Sequence, residues 1–140
     1  MNTGKWGLIV GRLLMSLIFI LSGGGKLMQF AGTASMMAGK GIPLTKLALV
    51  LSILIEIGGG LALLTGFKVR YIAPIMALWL VPVTLVFHNF WAYQGADQQM
   101  QMANFLKNVA IMGGLLIAAY ADRSAGTEVA TSAARQSAWN

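Results

Sequence analysis

The architecture of this chain follows from residues 45–70, whose sequence is TKLALVLSILIEIGGGLALLTGFKVR. Residues 45–65 are almost wholly apolar and are long enough to cross the hydrocarbon core of a bilayer as one helix. Residues 66–70 are too few for anything but a tight turn, so the next apolar run, residues 71–91, must return antiparallel to the first. This part of the sequence therefore predicts a transmembrane helical hairpin.

Two further apolar runs of membrane-spanning length flank this hairpin. Residues 7–27 precede it and residues 102–120 follow it, which makes four predicted spans. Because the connections are short, consecutive spans should be antiparallel neighbours. We therefore predict an all-α fold, an integral membrane antiparallel four-helix bundle, in which residues 1–121 form one domain.

The segments between and after the spans are predicted to be connections and a tail. Residues 29–44 contain three glycines and a proline, which predicts a loop with a short interfacial helix at residues 34–38. Residues 92–101 form a polar loop. Residues 122–140 are rich in Ala, Ser and Thr and have few bulky apolar side chains, so we expect a polar C-terminal tail without a core of its own.

Composition supports a membrane protein and excludes several functional classes. Of the 140 residues, 57% are hydrophobic and 10% are charged, and the mean hydropathy is +0.72, whereas about 25% of the residues of a soluble domain are charged. The absence of cysteine excludes disulfides, thiolate metal sites and cysteine nucleophiles. The formal net charge is +6, but in a membrane chain basic residues report orientation first, and we expect no nucleic-acid partner.

The distribution of basic residues predicts the orientation of the chain. With four spans both termini lie on one side of the membrane. That side carries Lys5, Lys68, Arg70, Arg123 and Arg135, and the opposite side carries Lys26, Lys40 and Lys46. Cytoplasmic loops hold the excess of Lys and Arg, so both termini are predicted to be cytoplasmic.

Each predicted span carries one stripe of polar or small side chains. The stripes consist of Arg12, Ser16 and Lys26 in the first span, Ser52, Glu56 and Gly60 in the second, Thr84, His88 and Trp91 in the third, and Asn104, Lys107 and Ile111 in the fourth. A charged group at a helix centre costs about 2.5–3.5 kcal/mol on insertion, so such groups seldom face lipid. The four stripes should therefore face one another and give the bundle a polar interior.

Depth along the membrane normal divides the charged residues into two layers. From the helical rise, Arg12 and Glu56 come within about 6 Å of each other along the normal, and we predict that they form an intramembrane ion pair. Lys26, His88 and Lys107 all fall within about 8 Å of the predicted periplasmic ends of their helices. This second layer is expected to contain no acid.

The second layer is the predicted ligand site. The donors of Lys26, His88, Lys107 and Asn108, covered by Trp91, suit an anionic or carbonyl-bearing small molecule, with Phe19 and Phe105 as further walls. The structural alternative is that Arg12 and Glu56 only specify packing and that the lysines extend to the headgroups. A single histidine excludes bis-histidine haem and histidine metal sites, so we expect no metal and no catalytic constellation.

Taken together, these motifs resemble those of the DoxX family of small bacterial membrane proteins. The matching residues are Arg12, Ser22-Gly23-x-x-Lys26, Gly41-x-Pro43, Glu56-x-Gly58-Gly59-Gly60, Gly66, His88-Asn89-Phe90-Trp91, Phe105-x-Lys107-Asn108 and Gly113-Gly114. The resemblance implies four transmembrane helices in the bacterial cytoplasmic (inner) membrane and a shared interior site at Arg12, Lys26, Glu56, His88 and Lys107. It also implies a distant link to subunits of thiosulfate:quinone oxidoreductase and to membrane redox defence complexes.

Three functional hypotheses follow from these features. The first is a small-molecule-binding subunit of a membrane redox or stress-response system, with quinone as the candidate cofactor and at most an accessory role in an oxidoreductase. The second is a small transport or export protein in which Glu56 is the proton site, because a lone acid in a bilayer suits a proton relay. The third is a membrane scaffold without ligand, whose glycine-rich faces bind a redox-complex partner or a second copy as a homodimer.

Overall fold

The computed structural model of this chain describes residues 3–137, and the side chains of residues 6–124, 131 and 135–137. The helices are α1 (Thr3–Met28), α2 (Phe30–Gly39), α3 (Thr45–Thr65), α4 (Val69–Phe87) and α5 (Gly95–Ser137), with a 3₁₀ turn at Phe90–Ala92. Four segments are long and apolar enough to cross a membrane, namely Trp6–Met28, Thr45–Thr65, Val69–Ala92 and Gly95–Ser124. The prediction of an all-α integral membrane bundle is confirmed.

The turn between α3 and α4 depends on a glycine. Gly66 has φ of 78°, the left-handed conformation that glycine adopts without steric cost. The amide of Gly66 donates to the carbonyl of Leu63 at 3.3 Å, and the amide of Phe67 donates to that of Ala62 at 2.9 Å. These two bonds are those of a Schellman motif, which ends α3 and allows α4 to return antiparallel.

Close packing of α1 against α3 fixes the axial offset between the two helices. A Cβ added to Gly60 would lie 2.8 Å from Cγ1 of Ile20, and one added to Gly23 would lie 2.7 Å from Cγ1 of Ile57. Small residues at these two points let the backbones approach closely. Gly23 therefore lies beside Ile57, and Gly60 beside Ile20.

This register leaves the end of α1 short of the start of α3. Met28 lies level with Ser52, roughly 10 Å before Thr45 by the helical rise. Helix α2 occupies the gap, and its buried Met37 packs with Leu49 and Ile53 of α3. The segment predicted as a loop with a short helix at residues 34–38 is thus a longer helix, Phe30–Gly39, that covers the first turns of α3.

The interior combines an apolar core with polar groups from every span. At the end of the bundle that holds the α3–α4 turn, Leu63, Val69 and Leu115 pack in one core cluster. Among the described residues, the buried polar side chains are Ser16 of α1, Ser52 and Glu56 of α3, Thr84 of α4 and Asn108 of α5. Many large exposed side chains of the spans are apolar and suit contact with lipid, among them Leu14, Leu78 and Ile117. The predicted polar interior is confirmed.

The fourth span does not end where the sequence pattern predicts. Helix α5 continues to Ser137, so most of the predicted tail at residues 122–140 extends the last span as helix. The segment from 121 to 137 contains no proline and is rich in alanine, the residue with the highest helix propensity. The helix has no break at residue 121, and the domain boundary there stays a prediction.

Candidate ligand cavity

A cavity of about 720 Å³ lies between the helices at the end of the bundle that holds α2. All five helices contribute to its walls. Its apolar lining includes Ile18, Phe19, Met36, Met37, Ile42, Val83, Phe87 and Ile111. The volume falls within the range of small-molecule sites, roughly 300–1,000 Å³, which are typically apolar with a few placed polar groups.

Four of the five predicted ligand-site residues line this cavity. They are Lys26, His88, Lys107 and Asn108, and they come from α1, the end of α4 and α5. Trp91 does not line it: its side chain is 57% exposed. Its ring lies edge-on to that of Phe90, with 5.2 Å between centroids. Of the other two predicted walls, Phe19 lines the cavity, whereas Phe105 packs with Phe90 and Trp91.

One polar group of the cavity is an ion pair between α1 and α3. Lys26 Nζ donates to both carboxylate oxygens of Glu56, at 2.8 and 2.7 Å, and to Ser22 Oγ at 2.8 Å. Ser52 Oγ donates to Glu56 Oε1 at 3.3 Å. An ammonium has three hydrogens, so these contacts use all the donors of Lys26. Glu56 is buried, with 5% of its surface exposed.

This pairing corrects two predictions. Glu56 pairs with Lys26 and not with Arg12, and the layer predicted to lack an acid contains Glu56. The prediction assumed that the end of α1 and the start of α3 lie at the same depth in the membrane. In the structure α1 ends level with Ser52, roughly 10 Å short of the start of α3, so Lys26 lies opposite Ser52 and Glu56. Arg12 lies at the other end of α3, where its Nη1 would be 2.8 Å from a Cβ at Gly66.

The second polar group of the cavity lies on α4 and α5. His88 Nδ1 is 2.9 Å from Gln101 Oε1. Because a carbonyl oxygen only accepts, Nδ1 is the donor in this contact. Asn108 Nδ2 donates to Thr84 Oγ1 at 3.0 Å.

Lys107 is a cation of the cavity with spare donors. Its Nζ donates to Asn104 Oδ1 at 2.9 Å, and no ion pair joins it to an acid whose side chain the structure describes. Lys107 is exposed, so two of its three hydrogens are open to solvent or to an acceptor on a ligand. Within the described part of the chain, no group of three or more His, Cys, Asp or Glu side chains could hold a metal ion.

Several cavity residues were missed by the sequence pattern. Lys40 Nζ donates to the hydroxyl of Tyr93 at 3.0 Å, which joins the end of α2 to the segment between α4 and α5. No periodicity could pair these two loop residues. Gln101 could have been found, because it lies one turn before Asn104 on the predicted α5 stripe. Trp79 also lines the cavity, and its Nε1 is buried without a hydrogen-bond partner among the described residues.

Comparison with known proteins gives consistent matches. The DoxX family model matches residues 7–89. The chain is 41% identical over 113 residues to inner membrane protein YqjF of Escherichia coli (strain K12), which covers 81% of this chain and 82% of YqjF. It is 32% identical over 112 residues to inner membrane protein YphA of the same organism, which covers 80% of each chain. No solved structure matches the chain.

Proposed function

Because the chain belongs to the DoxX family, we propose that it is an inner-membrane protein whose cavity binds a small, mostly apolar molecule through acceptor oxygens. The location is supported by the four apolar spans and by the names of its two relatives, both inner membrane proteins. The observation that carries the ligand proposal is the cavity of about 720 Å³ with Lys107 at its wall.

The charge of the cavity favours a ligand that presents oxygen acceptors. Its charged lining residues are three lysines, Lys26, Lys40 and Lys107, and one acid, Glu56, which leaves two net positive charges with His88 neutral. Since Lys26 is saturated by Ser22 and Glu56, the charged donors available to a ligand are those of Lys40 and Lys107, each of which makes one hydrogen bond to a described side chain. A carbonyl, phenolate or carboxylate oxygen matches them.

A quinone headgroup fits these requirements and is the ligand we propose. Its ring is planar and apolar, which suits walls such as Phe19 and Phe87, and its carbonyls are acceptors for Lys107. The chain has no cysteine and one histidine. Electrons for the quinone would therefore come from a partner protein, and we propose that the chain acts as a subunit of a redox or stress-response complex, as a homodimer or with other proteins.

Quinone titration of the purified protein tests this proposal. A water-soluble short-chain ubiquinone should quench the fluorescence of Trp79, which lines the cavity. Lys107→Gln should weaken binding about 10- to 150-fold, since a hydrogen bond to a charged group contributes roughly 1.5–3 kcal/mol. The matched control is Lys46→Gln, because Lys46 is exposed and does not line the cavity. Equal affinities for the two variants, or no binding by the wild type, would refute the proposal.

A transport function is the second candidate, and the burial of Glu56 in the cavity favours it. An acid that is 5% exposed inside a membrane span can carry a proton when its partner releases it. If the protein is a transporter, Glu56→Gln should abolish uptake or export in vesicles. Unchanged transport by this variant would refute the role of Glu56 as the proton site. The scaffold hypothesis has less support, because it assigns no role to the cavity or to the polar groups that line it.

We also propose that both termini are cytoplasmic, as the basic residues of the short loops predict. The cavity then lies in the periplasmic half of the membrane, on the same side as Lys40 and Tyr93. Protease-accessible tags at each terminus test this orientation in spheroplasts. Tags that are cleaved from the periplasmic side would reverse it.

A further inference from the structure

Arg12 lies inside a membrane-spanning helix but outside the cavity. Its guanidinium packs against the C-terminal end of α3, where Nη1 would be 2.8 Å from a Cβ at Gly66. Its Nε is buried and has no hydrogen-bond partner among the described residues, and Arg12 forms no ion pair with any acid whose side chain the structure describes. A guanidinium carries five N–H donors, and that of Nε is one that no described group accepts.

Two more cations lie near Gly66, Lys68 in the turn and Arg70 in the first turn of α4. Lys68 and Arg70 are exposed, and each lies over a neighbouring ring: Lys68 Nζ is 5.3 Å from the centroid of Phe67, and Arg70 Cζ is 4.6 Å from that of Tyr71. The backbone amide of Arg70 donates a hydrogen bond to Asp122 Oδ2 at 3.2 Å. No ion pair joins Lys68 or Arg70 to an acid among the described side chains. We call Arg12, Lys68 and Arg70 the basic edge.

The basic edge lies toward the end of the bundle at which the first span begins. The first span begins at Trp6, so Arg12 is roughly 9 Å along the helix from that end. Side chains on a helix point toward its N-terminus, which directs the guanidinium to the membrane surface. Phe67 and Tyr71 flank the turn, and aromatic side chains are frequent at this interface.

We propose that the basic edge binds the phosphate group of an anionic membrane lipid. A guanidinium presents paired N–H groups that match two phosphate oxygens, and Lys68 and Arg70 add positive charge at the same surface. The ligand is a lipid because the first of the three cations belongs to a membrane-spanning helix. Arg12 also complements the dipole at the end of α3, but that contact is independent of lipid type.

Native mass spectrometry of the protein released from nanodiscs tests the proposal. In an equal mixture of phosphatidylcholine and phosphatidylglycerol, the wild type should retain phosphatidylglycerol selectively. The double variant Lys68→Gln/Arg70→Gln should retain it about 30-fold less, since each basic residue near a surface contributes about fivefold. Lys46→Gln, at the opposite end of α3, is the matched control and should retain it as the wild type does.

Variants of Arg12 and a soluble anion complete the test. Arg12→Lys keeps the charge but loses the paired geometry, so retention should fall between that of the wild type and Arg12→Gln. If Arg12→Gln does not fold, the exposed double variant still decides the outcome. Equal retention by the double variant and Lys46→Gln, or no lipid preference in the wild type, would overturn the proposal. Thermal protection by inorganic phosphate in phosphatidylcholine nanodiscs, equal to that by phosphatidylglycerol, would overturn the lipid as the ligand.

Discussion

Replacing Lys26 with methionine should destabilise the protein strongly, because the change leaves Glu56 buried without its cation. The variant loses two charged contacts to the carboxylate, at 2.8 and 2.7 Å, and keeps only the Ser52 hydroxyl at 3.3 Å. Glu56 is 5% exposed, so water replaces little of what is lost. Removing one partner of a buried pair costs about 3–5 kcal/mol, and we expect a loss of this size in the free energy of unfolding.

The double variant Lys26→Met/Glu56→Gln should recover much of that loss. With the carboxylate gone, no uncompensated charge remains, and replacing both partners of a buried pair is often close to neutral. The cycle of the two single variants and the double variant should therefore give a coupling energy of about 2 kcal/mol or more. The assay is reversible unfolding in mixed micelles, followed by circular dichroism.

A second cycle distinguishes this pairing from the one that the sequence pattern predicts. Arg12 lies beside Gly66, ten residues from Glu56 along α3, which is roughly 15 Å by the helical rise. Arg12→Met and Glu56→Gln should thus be additive within about 0.5 kcal/mol. A coupling energy between Glu56 and Arg12 that equals or exceeds that between Glu56 and Lys26 would refute this register of α1 against α3. A cost below about 1 kcal/mol for Lys26→Met would refute the burial of the pair.

Two further predictions concern packing and a buried hydrogen bond. Gly60→Ala places a Cβ 2.8 Å from Ile20 Cγ1 and 3.3 Å from its backbone nitrogen, and overpacking of this kind should cost about 1–3 kcal/mol. Gly24→Ala is the control: nothing lies within 4 Å of its added Cβ, so the same assay should show no loss, or a gain of up to about 1 kcal/mol from helix propensity. Thr84→Val removes the acceptor of Asn108 Nδ2 and should cost about 0.6–1.7 kcal/mol, as interhelical hydrogen bonds in membranes do. Equal midpoints for the two alanine variants, or an unchanged midpoint for Thr84→Val, would contradict these contacts.

The number, order and direction of the spans could be predicted from the amino-acid pattern. A bilayer imposes a minimum apolar length on each helix, so the runs at residues 45–65 and 71–91 can be recognised as membrane spans. The short turn between them makes the two spans antiparallel. The cost of a charge facing lipid likewise directs Glu56 and Lys26 inward. For the same reason, four residues of the cavity could be selected before any coordinates were known.

Which charges meet, and what space surrounds them, depends on how the helices pack. The slide of α1 along α3 comes from close approach at Gly23 and Gly60, and it moves Lys26 to Glu56 and Arg12 to Gly66. A helical sequence pattern gives the direction of each side chain around the helix axis. It contains no information on how far one helix is displaced along its axis relative to another. The folding of α2 over α3 and the contact between Lys40 and Tyr93 likewise join residues distant in the chain. Only the assembled helices could therefore show the cavity and its true ion pair.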